Sequence, residues 1–262
     1  MKPMIDRNNF DSVWLTVATK NDSYTKFLHS PVRERSGIRS VIKDALKEAV
    51  VDHHKHAKVV AGLLQKHGFA NASRILSSQL PRNQRTRMGN FGEVVSSEHL
   101  RQRHGYKMPV FKLRYAENFL MPTRGEDIVC FELSEERRVT AVCIGEAKTL
   151  SAYRTSAVKE AHDRLASAFH PFPVSLSLIV NILYERGEDQ LADEIEEIIA
   201  KLPLQAFPCK NWIFIITGDE AENPFGSVEE KDQVVQNLSC VDVYLPDLQA
   251  LVDEMFGSPL TR

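Results

Sequence analysis

Residues 125–148 read Gly-Glu-Asp-Ile-Val-Cys-Phe-Glu-Leu-Ser-Glu-Glu-Arg-Arg-Val-Thr-Ala-Val-Cys-Ile-Gly-Glu-Ala-Lys. Two apolar, β-branched runs, 127–133 and 139–148, flank a charged turn at 135–138, the pattern of a β-hairpin. Opposed residues of an antiparallel pair keep a constant index sum. A turn centred between Glu136 and Arg137 sets that sum at 273, so Asp127 faces Glu146 and Cys130 faces Cys143. Side chains alternate along a strand, so Lys148 shares the face of Asp127 and Glu146, and the two cysteines take the other. The stretch therefore predicts two carboxylates and a lysine at the open end of an apolar hairpin.

Such a trio suits metal-assisted phosphodiester hydrolysis. Two carboxylates can hold a hard cation, Mg²⁺ or Mn²⁺, that keeps several of its waters and still accepts a phosphate oxygen. The cation lowers the pKa of bound water, and a neighbouring lysine orients that water or offsets developing charge. The competing reading is structural: an acid beside a lysine at a strand end also makes an ordinary surface ion pair.

The 262-residue chain is 43% hydrophobic and 26% charged, enough for one large α/β domain or a domain with an added layer. It has no apolar run of transmembrane length and no apolar signal core at its start, which predicts a cytoplasmic protein without a membrane partner. Its four cysteines read as reduced core thiols, and no zinc spacing is present. The net charge of −2 conceals an imbalance. From Tyr184 onward 17 Asp/Glu stand against 5 Lys/Arg, leaving 28 Lys/Arg against 18 Asp/Glu before it. A basic front suits a polyanion and an acidic back a protein partner; solvated helices are the alternative. Glu194, Glu196 and Glu197 are the acidic residues nominated for that partner.

Along the chain, 10–19 reads as a strand and 38–66 as one long helix or two, closed by Gly68 and followed by a shorter helix over 70–78. His53, His54 and His56 do not share a helix face, which favours packing or solvation over metal ligation. Residues 81–87 form a polar connector. Asn90 and Glu93 then read as an N-cap and its reciprocal partner, a structural reading of Glu93 that competes with a role as an extra metal ligand. A strand is expected over 108–115 and, after the hairpin, a helix over 152–168 capped by Ser151. It carries Arg154, Lys159, His162 and Arg164 as candidate phosphate contacts, with Arg124 on the preceding loop. Residues 174–184 fit a buried helix or a strand, the helix favoured because it pairs with one over 188–200 as a hairpin; 212–217 is a buried strand, 227–237 helical, 241–245 a strand, and Pro246 opens a last helix.

These features together resemble the PD-(D/E)xK nuclease superfamily: Gly-x-Asp at a strand start, Glu146-Ala147-Lys148 on the next strand, Glu93 on a preceding helix and a helix following. More narrowly, the runs around Gly89–Glu93, Met121–Asp127 and Gly145–Thr149 resemble the HamA-like nuclease subunits of the bacterial Hachiman anti-phage system. The resemblance implies a restriction-endonuclease-like core at 81–217, with added N-terminal elements at 1–80 and a C-terminal α/β extension at 218–262. It implies a Mg²⁺-dependent DNA nuclease with Asp127, Glu146 and Glu93 at the metal and Lys148 on the water, restrained by a superfamily 2 helicase, HamB-like. No proline precedes Asp127, and Glu126 stands beside it as an alternative second ligand. A catalytically silent adaptor for nucleic acid or helicase, or a restriction or repair endonuclease of the same fold, are the other readings.

Overall fold

A computed structural model describes residues 5–19, 24–115, 125–168, 173–204 and 206–257. In chain order the helices and strands are α1 (Phe10–Trp14), β1 (Leu15–Val17), β2 (Leu28–Glu34), α2 (Arg39–His54), α3 (Ala57–Ser78), α4 (Gln84–Arg103), β3 (Ile128–Leu133), β4 (Val139–Leu150), α5 (Thr155–Ser167), α6 (Val174–Glu185), α7 (Asp189–Lys201), β5 (Cys209–Thr217), α8 (Gly226–Glu229), β6 (Leu238–Tyr244) and α9 (Leu248–Gly257). The strands form a single mixed sheet in the order β1-β2-β6-β5-β4-β3. Its central pairs are parallel, and β1/β2 and β3/β4 are antiparallel. Strands from 1–80, 81–217 and 218–262 are thus hydrogen-bonded in one sheet.

Both faces of that sheet are covered, as a parallel sheet requires. Along β5 the alternation is complete: Trp212, Phe214 and Ile216 join a core with Phe10, Phe91 and Phe256, whereas Ile213 and Ile215 join one with Val158, Ile179 and Ile195. The first core lies under α1, α4 and α9, the second under α5, α6 and α7. Among the described residues no helix is long and apolar enough to cross a membrane.

The hairpin register is the one read from the sequence. Ile128 pairs with Gly145, Val129 with Ile144 and Cys130 with Cys143, all at the index sum of 273. Cys130 and Cys143 are buried free thiols. The connection differs in detail. Leu133 pairs with Val139, and the register shifts between Glu132 and Leu133, so Thr140 bulges and absorbs one residue. Ser134 N donates to Arg138 O (2.9 Å), with Arg137 at φ 63° closing the turn.

Several expectations need correction. Residues 10–19 are not one strand: Phe10 and Trp14 are four apart and both buried, helical spacing, and only Leu15–Val17 is extended. The strand expected over 108–115 stops at a single bridge between Lys107 and Phe131; Pro109 has no N–H to continue a ladder, and the chain tightens into a 3₁₀ turn at Lys112–Tyr115. Of residues 227–237 only 227–229 are helical, in the single turn of α8; Val234 and Val235 pack against the core from the irregular segment that follows. α5 starts at Thr155 with Arg154 at the cap position, not at Ser151. The strand β2 was not anticipated, because Pro31 interrupts its pattern; there Pro31 O accepts from Ala18 N at 2.8 Å. By contrast, Gly68 does break α3 (φ 69°), and 174–184 is helical.

Candidate active site

β3 is the sheet's edge strand, so the mouth of the β3/β4 hairpin opens beside the sheet. Asp127 sits just before β3 and extends its ladder by a side chain: Oδ2 accepts from Ala147 N at 2.9 Å. This fixes its carboxylate beside Glu146, as the register demands. Glu146 is 2% exposed. Burial first, then the charge and hydrogen bonding of Asp127, push its carboxyl up to about 9. Arg164 Nε stands 3.4 Å from Glu146 Oε2 without hydrogen-bond geometry, and that buried oxygen has no hydrogen-bond partner. Lys148 Nζ, on the same face, donates to Glu160 Oε1 at 2.8 Å.

Glu93 reaches the site from the opposite face of β4. Its helix comes close because Gly92 has no side chain: a Cβ there would run into Thr149 Oγ1. The N-cap reading of Glu93 is overturned. α4 begins seven residues earlier than expected, where Asn83 Oδ1 accepts from Thr86 N (2.7 Å), and Asn90 lies inside the helix with Nδ2 donating to His54 Nε2 (2.9 Å). Residues 84–87 are therefore helix and not connector. Glu93 is buried, and burial, then the charge of Asp127, raise it to about 8 against the opposing field of Lys112. Asp127 thus lies between two carboxyls that both feel it. Among the described residues no three His, Cys, Asp or Glu side chains are grouped to hold a metal ion. The structure brings together the pair Asp127–Glu146, with Glu93 across Asp127.

Glu126 is engaged at the start of α6. Its oxygens accept from Val174 N (3.2 Å) and Ser175 N (2.9 Å), capping α6, where they suit the positive end of the helix dipole. The buried Lys112 donates to Glu126 O and to Ser175 Oγ, and Gly125 takes φ 86° with no room for a Cβ, 2.5 Å from Ser175 Oγ. This clamp fixes the backbone that presents Asp127.

Asp127, Glu93 and Lys148 border a cleft of about 800 Å³ that Arg85, Arg154 and Arg164 also line. Arg154 is exposed there. Lys159 is exposed on α5 and does not line the cleft, His162 lines a separate cavity, and Arg124 lies outside the described residues. The histidines are structural: His53 Nε2 donates to Glu98 Oε1 (2.8 Å), His54 Nδ1 to Val50 O (2.7 Å), and His56 Nδ1 accepts from Lys58 N (3.1 Å). Sequence reasoning missed Arg85, Lys112 and Glu160. Of these, Glu160 carried a signal, its i,i+4 spacing to Arg164 on the helix that follows Lys148.

Fold and site together define a mixed α/β protein with a cleft at the hairpin mouth bordered by Asp127, Glu93 and Lys148, with Glu146 buried behind Asp127. The chain belongs to the HamA family, whose model matches residues 7–256. It is similar to the Hachiman protein HamA of Bacillus cereus, 30% identical over 155 residues, or 59% of this chain and 54% of that relative. The match spans about half the length of that curated relative.

Proposed function

We propose that this chain is a metal-dependent deoxyribonuclease of the PD-(D/E)xK type, the effector of the Hachiman anti-phage defence system, held in check by a superfamily 2 helicase (HamB-like). HamA-family membership supports the defence role. The chemistry rests on one observation: Asp127 set against Glu146, whose buried Oε2 lacks a hydrogen-bond partner. A buried carboxyl whose proton affinity is raised by burial and by the carboxylate set against it belongs to a donor set that a divalent cation fits. Asp127 and Glu146 would hold Mg²⁺ or Mn²⁺, with Glu93 assisting from across Asp127. Bound there, the ion supplies Lewis acidity and a more acidic water.

The chain's own groups do the rest. Lys148, released from Glu160, orients the attacking water and offsets charge on the phosphate. Glu93, raised to about 8 by burial, carries a proton at neutral pH in the metal-free chain and would give it up to assist at the cation. The Glu126–Lys112 clamp keeps Asp127 aimed. Purified chain incubated with plasmid DNA tests the reading. Cleavage should need Mg²⁺ or Mn²⁺, stop with chelator, and fall by at least about 100-fold in Glu146→Gln and Lys148→Met with melting curves unchanged. Undiminished cleavage by either variant would contradict it.

A further inference from the structure

We infer that Lys148, Arg85 and Arg164 form a phosphate-binding subsite beside the acidic pair, which the Glu160 carboxylate fills in the free chain and a substrate phosphodiester takes over. Part of this rests on the nuclease reading above, because it names how that site would hold its substrate.

The three cations come from three elements, β4, the first turn of α4 and α5, and all border one cleft with Glu160. Lys148 Nζ donates to Glu160 Oε1 at 2.8 Å. The Lys148 hydrogen bond above all, then the fields of Lys148, Arg164 and Arg85, hold the Glu160 carboxyl below its ordinary range. A carboxylate and a phosphodiester present the same kind of oxygen to such donors, so a side-chain carboxylate surrounded by cations marks an anion site. Glu160 is 61% exposed, which leaves it free to move out, whereas Lys148 is 15% exposed and fixed by its strand. Lys148 lies two residues from Glu146 on one face, so a phosphate held here adjoins the acidic pair. Arg85 belongs to a run, 53–92, with seven Lys/Arg and no Asp or Glu. Its segment therefore offers no acid to compete for it.

Full-length chain is titrated into a short fluorescein-labelled DNA duplex in chelator, where no cleavage occurs. Glu160→Gln should tighten binding about five-fold, and Arg85→Ala should weaken it about five-fold. Glu135→Gln, the same charge change in the exposed β3/β4 turn, should leave it near wild type. Glu160→Gln no tighter than Glu135→Gln, Arg85→Ala binding like wild type, or no measurable binding by any protein would each overturn the inference. Cleavage with Mg²⁺ is scored separately. Binding shifts as described without cleavage by wild type sustain the subsite and sink the nuclease reading; metal-dependent cleavage without the binding shifts does the reverse.

Discussion

At Glu98 a carboxylate 1% exposed accepts from His53 Nε2 and from Arg101 Nε (2.9 Å) and Nη2 (2.6 Å). Burial, the largest influence, opposes its charge; His53 and Arg101 together outweigh it and hold the carboxyl far below the ordinary 4.5. Its folded value is depressed, so its contribution is fully present above the unfolded value near 4.5 and disappears as pH falls through the folded one. Glu98→Gln should cost about 3 kcal/mol in urea unfolding at neutral pH. The gap to wild type should narrow below about pH 4.5, and a constant gap down to acid pH would be the contrary result. Gly125 makes a second prediction. Gly125→Ala combines positive φ with a collision at Ser175 Oγ, and should cost about 1–2 kcal/mol while weakening cation binding through the displaced Asp127. Normal stability with normal Mn²⁺ titration would mean that the clamp does not position Asp127. Asp127 and Glu146 were legible because a register is arithmetic on one continuous stretch. Lys112 and Glu126 were not, because their partners, at the start of α6, are supplied by folding.

The hairpin and α4 show the same contrast between elements. Alternating apolar residues and one charged turn fixed the β3/β4 pairing, and the bulge at Thr140 altered only the turn. For α4 the glycines misled: Gly89 and Gly92 argue against a helix by propensity, yet Gly92 is what lets the helix approach β4. Packing overrode propensity, moving the cap from Asn90 to Asn83 and making Glu93 a cleft residue. Gly92→Ala should therefore destabilise the fold by about 1–3 kcal/mol, and Thr149→Ala should recover part of the loss. Additive losses in the double variant would show that the two residues do not share that contact. Glu126→Ala removes the α6 cap and should cost about 1–2 kcal/mol by the same unfolding assay; no loss would mean that α6 is held without it.

Over the whole molecule, the basic front and acidic back meet in one sheet. Glu194 drops out of the acidic surface nominated for a partner: its Oε1 accepts from Val139 N (2.9 Å) and faces Arg138, so it secures the start of β4. Glu196 and Glu197 remain exposed on α7. Reversing both should loosen retention of the proposed helicase partner in a pull-down while the melting curve stays put, and full retention would place that interface elsewhere. What the sequence could not convey is the joining of β2 and β6 to the sheet, since one contains Pro31 and their pairing spans nearly the whole chain. The cation itself remains the sharpest probe. Crystals soaked in Mn²⁺ should give an anomalous peak between the Asp127 and Glu146 carboxylates, lost in Glu146→Gln. A peak elsewhere, or one that survives that substitution, would remove the basis for metal-assisted hydrolysis at this hairpin mouth.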